Sequence, residues 1–310
     1  MRDEIKARLS RPGRALDVIG YGECSIDEVW VVPTRLDWGG KSRATRRERL
    51  GGGQVATAMV ACARLGLRAG YCGVVGDDDD GREVLAGLAA EGVDVDAARA
   101  LAGGVTRAAL ILVDERNGER TVIEHNHARV SSLPHTLSPR LADARILHLD
   151  ATDPPRALEA ARQARAAGGV VSLDVDQPAP GLDELLPLID ICIASRGLPE
   201  LLTGEPDLER ALRKLAGRTH GLVGCTLGPD GAALLDDGQL LRSRAFAIDP
   251  IDTTACGDTF RGALLVALVE GQKLEHALRF ANAAAGLKTR DLGRRGCPHR
   301  AAVDALLARQ

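Results

Sequence analysis

The strongest constraint on the fold is a regular alternation of short apolar runs and helical patterns in the second half of the chain. Strands are predicted at the apolar runs 146–149, 170–173, 189–194 and 222–227. Helices are predicted at 156–167 and 208–215, where apolar residues recur with helical spacing. This alternation predicts an α/β fold in which a mostly parallel sheet is covered by helices on both faces.

The remaining segments extend the same pattern. Further strands are predicted at 16–21, 29–32, 71–75 and 245–251, with hairpins at 106–125, around Asn117-Gly118, and at 231–241. Further helices are predicted at 55–65, 83–90, 258–269, 274–287 and 301–308. No internal repeat or low-complexity linker divides the sequence, so we expect a single domain over residues 1–310.

Composition and charge exclude some classes of protein. Hydrophobic residues make up 45% of the chain but aromatic residues only 2%, which suits helices on a parallel sheet and disfavours a protein that stacks nucleic-acid bases. Lys and Arg (40) are interspersed with Asp and Glu (43), and the net charge is −3. Without a basic stripe, no nucleic-acid partner is expected.

The cysteines and the N-terminus bear on cellular location. The seven cysteines are odd in number and no pair has C-x-x-C spacing, which indicates reduced thiols rather than disulfides or a zinc site. The N-terminus is charged and lacks a signal-peptide core, and no apolar run reaches membrane-spanning length. We therefore expect a cytoplasmic protein without a membrane partner.

The most informative segment lies before the helix predicted at 258–269. Three small residues, Ala255, Cys256 and Gly257, form the turn at its N-terminus, where free N–H groups and the helix dipole make an anion site. Asp258 follows in the first turn, and a carboxylate there suits a base that accepts the proton of a hydroxyl attacking a phosphoryl group. Taken alone, an aspartate at this position is better explained as a helix cap.

The full segment Asp252-Thr-Thr-Ala-Cys-Gly-Asp258 resembles the second signature of the ribokinase-like (PfkB-type) carbohydrate kinases, usually written D-T-x-G-A-G-D. The resemblance implies a ribokinase-like fold, a mostly parallel central sheet flanked by helices, with a small β lid formed here by about 29–50 and 106–125. It also implies that Asp258 is the catalytic base, that Ala255, Cys256 and Gly257 line the anion hole, and that ATP and Mg²⁺ are required. Ala-Cys replaces the commoner Gly-Ala before Gly257.

Two segments resemble the family's sugar-binding elements. The first strand of the family ends in an Asp that binds sugar hydroxyls, and it is resembled here by Gly22-Glu-Cys-Ser25-Ile-Asp27. The alternative role for Asp27 is as a turn or helix cap. A carboxylate and small polar groups such as Ser25 suit vicinal hydroxyls. The segment beginning Gly52-Gly53 resembles the first signature, in which paired glycines bring the backbone close to the sugar.

Two further residues belong to the predicted sugar side. Thr57 stands where the family usually has Asn, and contact with the substrate and helix packing are equal alternatives for it. Asp150 closes the strand at 146–149, near a position where an acidic residue can contact the sugar in relatives.

The nucleotide side is predicted at Thr226-Leu-Gly228-Pro-Asp-Gly231, which matches the family's T-x-G-x-x-G turn. Asn282, on the helix after Asp258, is placed near the base by the resemblance, with core packing as an equal alternative. The sequence has no G-x-x-x-x-G-K-[ST] segment, which excludes a P-loop fold.

The sequence departs from the family at a metal-organising element. Its N-x-x-E motif should fall at Ser195 to Leu198, where both defining residues are absent, so Mg²⁺ binding must rely on water or on acids such as Asp174 and Asp176, or be weaker. Asp252 and the carbonyl of Thr254 match positions that hold a monovalent cation, such as K⁺, in some relatives.

The substrate is left open by these patterns. The sequence is most similar to the sulfofructose kinase branch, through Gly51-Gly-Gly-x-x-Ala-Thr-Ala and the late Leu-Lys-Thr-Arg segment, but Thr152 stands where that branch should have Arg. A sulfonated sugar is therefore not supported, and fructose, ribose and a 2-keto-3-deoxy sugar acid remain. The alternatives are a nucleoside kinase, disfavoured by the few aromatic residues, and a catalytically idle sugar sensor.

The lid bears on oligomeric state. Its segments are rich in β-branched residues, including Val29, Val31, Val32, Val122 and Ile123, and a two-stranded ribbon is marginal by itself. Two lids packed across a two-fold axis would form a homodimer, which we expect, with Val31 in the interface. The alternative is a monomer whose lid folds back on its own core.

Overall fold

The computed structural model describes residues 1–125, 130, 133 and 135–309. The strands are β1 (Leu16–Tyr21), β2 (Ser25–Val32), β3 (Arg46–Gly52), β4 (Ala69–Tyr71), β5 (Val74–Gly76), β6 (Arg99–Leu101), β7 (Arg107–Asp114), β8 (Arg120–His125), β9 (Ala144–Leu149), β10 (Val170–Val175), β11 (Ile191–Ala194), β12 (Leu222–Thr226), β13 (Ala232–Asp236) and β14 (Gln239–Ser243). The helices are α1 (Asp3–Leu9), α2 (Gln54–Arg64), α3 (Asp79–Ala90), α4 (Pro154–Ala166), α5 (Leu182–Leu185), α6 (Leu198–Thr203), α7 (Leu208–Ala216), α8 (Cys256–Val269), α9 (Leu274–Lys288) and α10 (Arg300–Ala308). Short 3₁₀ helices lie at Pro139–Asp143, Leu186–Leu188, Gly228–Asp230 and Gly293–Gly296.

The main sheet has the strand order β14-β13-β12-β11-β10-β9-β1-β4. Strands β12 to β4 in this order are parallel, and the β13–β14 hairpin adds two antiparallel strands at one edge. Neighbouring residues of β1 face opposite ways: Val18 belongs to the apolar cluster that includes residues of α2, α8 and α9, and Ile19 belongs to the cluster that includes residues of α4 and α7. Both faces of the sheet are therefore covered, which confirms the predicted α/β fold.

A small sheet with the order β3-β2-β7-β8 lies beside the main one. One face of it is buried in a separate apolar cluster that includes Val29, Val31 and Ile111 of the sheet and Leu292 from the segment after α9. The other face exposes Trp30, Leu110 and Ile123. The sheet is joined to the main body where the carbonyl of Gly118 accepts hydrogen bonds from the backbone N–H (2.9 Å) and the hydroxyl (2.8 Å) of Thr253.

Two predicted strands are wrong. The run 71–75 is divided between β4, in the main sheet, and β5, which pairs with β6, because the chain leaves one sheet for another after Tyr71. The run 245–251 forms no strand. At its end, the N–H groups of Ile251 and Asp252 both donate to the carbonyl of Thr289, so a loop rather than a sheet supplies the hydrogen-bond acceptor.

Among the elements that the sequence did not predict, α1 and β3 were missed because their sequences are highly charged. Helix α1 buries Ile5 and Leu9, and its Arg8 pairs with the buried carboxylate of Asp190 at 2.9 Å. Strand β3 has a mostly polar sequence, yet it pairs with β2 along its whole length, and its arginines bind Glu28. In both cases contacts with distant residues stabilise the element, although its own sequence has no clear apolar pattern.

The sequence predicted reduced cysteines and no membrane-spanning segment. All seven cysteines are free thiols, and all but Cys256 are buried. Among the described residues, no helix combines the length and the apolar character needed to cross a membrane.

Candidate active site

Polar side chains collect at the carboxyl edge of the main sheet. Asp150 directly follows β9, Asp174 and Asp176 lie at the end of β10, Ser195 follows β11 and Thr226 ends β12. Open α/β sheets bind their ligands at this edge, because the strand ends there leave a crevice between connecting loops.

Asp27 reaches the cleft from the small sheet. It lies inside β2, not at the end of the first strand as expected, and it is buried. The hydroxyl of Ser25 donates to its Oδ1 at 2.8 Å, and a methyl group added at Gly52 would collide with its carboxylate. Burial raises the pKa of Asp27 to about 6, partly offset by Ser25 and by the charge of Arg294.

Asp150 is also buried, at the base of the same region. Its carboxylate accepts hydrogen bonds from the N–H groups of Glu23 (2.6 Å) and Thr152 (3.0 Å). Burial raises the pKa of Asp150 to about 6. Thr152 hydrogen-bonds Glu23 through its hydroxyl at 2.9 Å, so Thr152 brings no positive charge to this end of the cleft.

The glycine pair leads into helix α2. Gly53 has φ 91° and lies so close to the backbone of Glu23 and Cys24 that no side chain would fit. Thr57 is fully buried one turn into α2, with its N–H bonded to the carbonyl of Gly53. Gln54, which the sequence did not single out, donates to Asp176 at 2.7 Å and links α2 to the end of β10.

The turn before α8 has the geometry that its small residues predict. Ala255 is the N-cap residue with a left-handed φ of 65°, and Cys256 and Gly257 begin the helix. The first N–H groups of α8 therefore have no acceptor within the helix and can bind an anion. Burial raises the pKa of the Cys256 thiol to about 11, so this side chain adds no negative charge to the turn.

Asp258 lies in the first turn of α8 and remains partly accessible from the cleft. Enclosure by protein raises its pKa to about 7. The charges of Arg261 and Arg120 act against that rise, and those of Asp176 and Asp27 add to it. Charged residues of β2, β8 and α8, and Asp176 just after β10, are thus near enough to Asp258 to act on its carboxylate.

Arg261 is a buried residue of this cleft that sequence reasoning missed. It lies one turn after Asp258 on α8, and its guanidinium contacts the carboxylate of Asp174 at 2.8 Å. It also donates to Ser195 Oγ at 3.1 Å and to the carbonyl of Ile193 at 3.2 Å. The guanidinium of Arg261 thus lies beside Ser195, where the N-x-x-E motif of the family is absent. The same guanidinium forms an ion pair with Asp174.

The predicted nucleotide-side residues also come together. Gly228 and Gly231 have φ values of 56° and 91° in the turn after Thr226, and a side chain at Gly231 would collide with the carbonyl of Ser243. Asn282 is buried and donates its amide to that same carbonyl at 3.0 Å. The side-chain amide of Asn282 is therefore hydrogen-bonded to the end of β14, as expected if its role is packing.

Asp252, one of the two residues predicted to bind a monovalent cation, has other partners. Asp252 is fully buried and accepts hydrogen bonds from the N–H groups of Thr254 and Gly293, both at 2.7 Å, and Lys288 contacts it as well. Within the described ranges, no group of three or more His, Cys, Asp or Glu side chains is arranged to hold a metal ion.

Comparisons with known proteins agree with this geometry. The pfkB family carbohydrate kinase model matches residues 16–300. The chain is 30% identical to the ribokinase of Haemophilus influenzae over 280 residues, 88% of this chain and 92% of that one. It is 30% identical to the ATP-dependent ribose-1-phosphate kinase of Halopiger xanaduensis over 287 residues, 90% of this chain and 95% of that one. The structure of Arabidopsis thaliana ribokinase complexed with ribose and ATP matches with a TM-score of 0.81 at 26% identity, covering 94% of this chain and 99% of that chain.

Fold and site together define a carbohydrate kinase. The chain belongs to the pfkB family of carbohydrate kinases, as its signature segments predicted. It is an ATP-dependent sugar kinase, which transfers a phosphoryl group to a sugar hydroxyl, and the nucleoside kinase and idle-sensor alternatives are not favoured.

Proposed function

We propose that this kinase phosphorylates a neutral pentose of the ribose type, with Asp258 as the base. The observation that carries the proposal is the position of Asp258 beside the free N–H groups at the start of α8. Asp27 and Asp150 would bind the sugar hydroxyls, with Ser25, Gly52 and Gly53 shaping the site around them. Thr226, Gly228 and Gly231 would lie along the nucleotide.

The reaction then needs little covalent participation from the protein. Ionised Asp258 accepts the proton of the attacking hydroxyl, whose oxygen forms a bond to the γ-phosphorus as the bond to the β-phosphate oxygen breaks. The N–H groups of Cys256 and Gly257 stabilise the negative charge on the transferred group. Arg261 supports this by fixing Asp174 beneath the cleft.

Mg²⁺ would enter this site bound to the phosphates of ATP rather than to a set of protein ligands. Asp176 is exposed at the end of β10 and accepts a hydrogen bond from Gln54, whereas Asp174 is buried with its carboxylate 2.8 Å from the guanidinium of Arg261. Asp176 would therefore be the carboxylate that contacts the ion, directly or through water, since Mg²⁺ in kinases is commonly bound by one or two carboxylates and the substrate phosphates. The ion would supply charge neutralisation for the phosphates.

A neutral sugar fits the charge of the pocket. Glu23, Asp27 and Asp150 line the sugar side, and Arg107 is already paired with Glu23 and with Glu124, the latter at 2.8 Å. A substrate phosphate, carboxylate or sulfonate would thus meet three carboxylates, with Arg107 already paired and the charge of Arg294 acting on Asp27. The ribokinase relative supports the same choice by its name, and the ribose-1-phosphate kinase relative supports the pentose.

A panel of acceptors tests the proposal. ADP release would be measured with MgATP and D-ribose, D-fructose, ribose 1-phosphate, a 2-keto-3-deoxy sugar acid and adenosine. We expect the highest kcat/KM for ribose and weak turnover of the two anionic sugars. Preference for an anionic sugar or for adenosine would contradict the proposed substrate, and the absence of turnover with every acceptor would contradict the kinase assignment of this cleft.

The rate should depend on pH through Asp258. Because a base must be ionised and the pKa of Asp258 is raised to about 7, kcat should rise between about pH 6 and about pH 8 and then level off. Arg120→Gln removes a charge that lowers this pKa, so the midpoint should move to higher pH. Steady-state rates at saturating sugar and ATP would measure both profiles.

The matched control for Arg120→Gln is Arg99→Gln, an exposed arginine in β6. The midpoint of the kcat–pH profile of Arg99→Gln should equal that of the wild type. A kcat that is flat across this range, or an Arg120→Gln midpoint that moves to lower pH, would contradict Asp258 as the titrating base.

We also propose that the chain is a single domain whose small sheet is a lid, and that two lids pair in a homodimer. The exposed fractions of Trp30 (37%), Leu110 (36%) and Ile123 (52%) leave an apolar face that a second copy would cover. The expected role of Val31 in the interface is wrong, because its side chain is 6% exposed and packs in the core of its own lid.

Replacing Ile123 with Glu should break the dimer, because it puts a charge within the proposed apolar contact. Light scattering should give twice the chain mass of 32.7 kDa for the wild type and the single-chain mass for Ile123→Glu. Since Asp27 belongs to the same sheet, the apparent KM for the sugar should rise as well. Leu201→Glu, at an exposed leucine of α6, is the matched control and should stay dimeric; a monomeric wild type would contradict the proposal.

A cytoplasmic location is proposed on the basis of the cysteines. All seven are free thiols, and reduced thiols of this kind are typical of proteins in reducing compartments.

A further inference from the structure

Lys288 is a fully buried lysine in the last turn of α9. Lysine is almost never buried to this extent unless its charge is paired. Three oxygen atoms surround its Nζ: the carbonyl oxygen of Asp252 at 2.9 Å, the carbonyl oxygen of Asp291 at 3.2 Å and Oδ2 of Asp252 at 3.4 Å. The three N–H donors of the ammonium therefore each have an acceptor.

Asp252 connects this ammonium to the anion hole. Its Oδ1 accepts from the N–H of Thr254 and its Oδ2 from the N–H of Gly293, both at 2.7 Å. The residue after Thr254 is Ala255, whose left-handed conformation begins α8. Lys288 and Asp252 thus join the loop that presents the anion-binding N–H groups to the segment that follows α9.

A monovalent metal cation does not fit in the same place. The sequence predicted Asp252 and the Thr254 carbonyl as its ligands, but both carboxylate oxygens and the carbonyl of Asp252 already accept hydrogen bonds. Thr254 donates its N–H to this carboxylate, and its carbonyl is not one of the three oxygens that surround Lys288 Nζ. A metal cation beside the Lys288 ammonium would meet a like charge in a buried space, where such repulsion is strong.

We propose that Lys288 is a covalently attached substitute for a monovalent cation, and that phosphoryl transfer in this kinase does not require K⁺. Oxygen atoms of carbonyl and carboxylate groups are the ligands that hard cations take, and the chain supplies the cation itself. Lys288 is a positioning residue, because it touches the loop before the anion hole and not the substrate. The inference rests on the proposed phosphoryl transfer at Asp258.

The wild-type enzyme gives the first test. ADP release with MgATP and the best acceptor of the sugar panel would be measured in tetramethylammonium chloride and in KCl. At equal ionic strength, which removes differences in screening, the rates should agree within about twofold. A severalfold activation by K⁺ would overturn the proposal, and this comparison needs no variant.

The variant Lys288→Ala gives the second test, because it leaves the three oxygens without their cation. In tetramethylammonium, turnover should fall about 10²-fold, the scale for losing one preorganised electrostatic contact, and K⁺ or NH₄⁺ should restore part of it. The Tm of the variant should rise with K⁺ or NH₄⁺, since ions that bind the folded state stabilise it, whereas the wild-type Tm should not respond.

Lys273→Ala, an exposed lysine just before the same helix, is the matched control and should behave as the wild type. Full turnover of Lys288→Ala without K⁺, or a Tm of that variant that ignores both cations, would overturn the proposal. Should Lys288→Ala not fold, the wild-type comparison in the two salts decides by itself. The Tm measurements need no substrate, so a wild type without turnover would contradict the proposed function and leave the test of Lys288 intact.

Discussion

Asp258→Asn should reduce phosphoryl transfer by about 10²–10⁴-fold, the contribution expected of a general base. The amide has nearly the shape of the carboxylate but cannot accept the proton of the attacking hydroxyl. Nucleotide affinity should change little, because the proposed anion site consists of the backbone N–H groups of Cys256 and Gly257, which the substitution leaves in place. ADP release would measure turnover, and calorimetric titration with ADP would measure nucleotide affinity.

Asp79→Asn is the matched control for Asp258→Asn. Asp79 lies in the first turn of α3, and its side chain is almost fully exposed, so it shares the residue type and helix position but not the cleft. It should keep wild-type turnover. If purified Asp258→Asn retains more than about a tenth of wild-type turnover, less than the loss of a general base predicts, Asp258 is not the base.

Asp27→Ala should weaken sugar binding far more than nucleotide binding. A hydrogen bond to a charged group contributes about 1.5–3 kcal/mol, which corresponds to a rise in the Kd for the sugar of about 10- to 150-fold. Because burial raises the pKa of Asp27 to about 6, the titrations belong near pH 8, where the wild-type carboxylate is ionised. Calorimetry with the best sugar and with ADP measures the two affinities.

Gly52→Ala provides an independent check of the same contact. The added methyl group would collide with the carboxylate of Asp27, so this variant should also lose sugar affinity while its ADP affinity is kept. The glycine control is Gly92→Ala, whose added methyl group meets no atoms in the fold, although the φ of 79° at Gly92 strains a side chain and Gly52 has no such positive φ. An unchanged sugar affinity in Asp27→Ala would give Asp27 a structural role only.

The fold was predictable wherever local pattern and tertiary environment agree. The parallel strands of the main sheet are short apolar runs because both of their faces are buried, and β1 and β10 have every residue buried. The prediction failed for 71–75 and 245–251, since an apolar run carries no information about which strand it will pair with. It missed β3, whose charged residues are compatible with a strand only because β2 lies alongside.

The candidate site was predictable to the extent that it is continuous in sequence. The segment from Asp252 to Asp258 contains the anion turn and the base together, so their proximity follows from chain connectivity. Arg261 and Lys288 were missed as parts of the site because their partners, Asp174 and Asp252, are distant along the chain. The sequence showed only that each of these two cations lies in a helix rich in apolar residues, and this does not predict which carboxylate the cation contacts.

The amino-acid sequence by itself determined the α/β class, the family and the position of the proposed base, because these depend on periodicity and on short contiguous segments. Only the tertiary structure decided that Asp27 enters the cleft from the small sheet, that Val31 is internal and that Lys288 contacts Asp252, one of the two residues expected to bind a cation. Each of these depends on which distant segments meet. Burial and pairing then set the charge of a buried group, through desolvation and the neighbours that offset it.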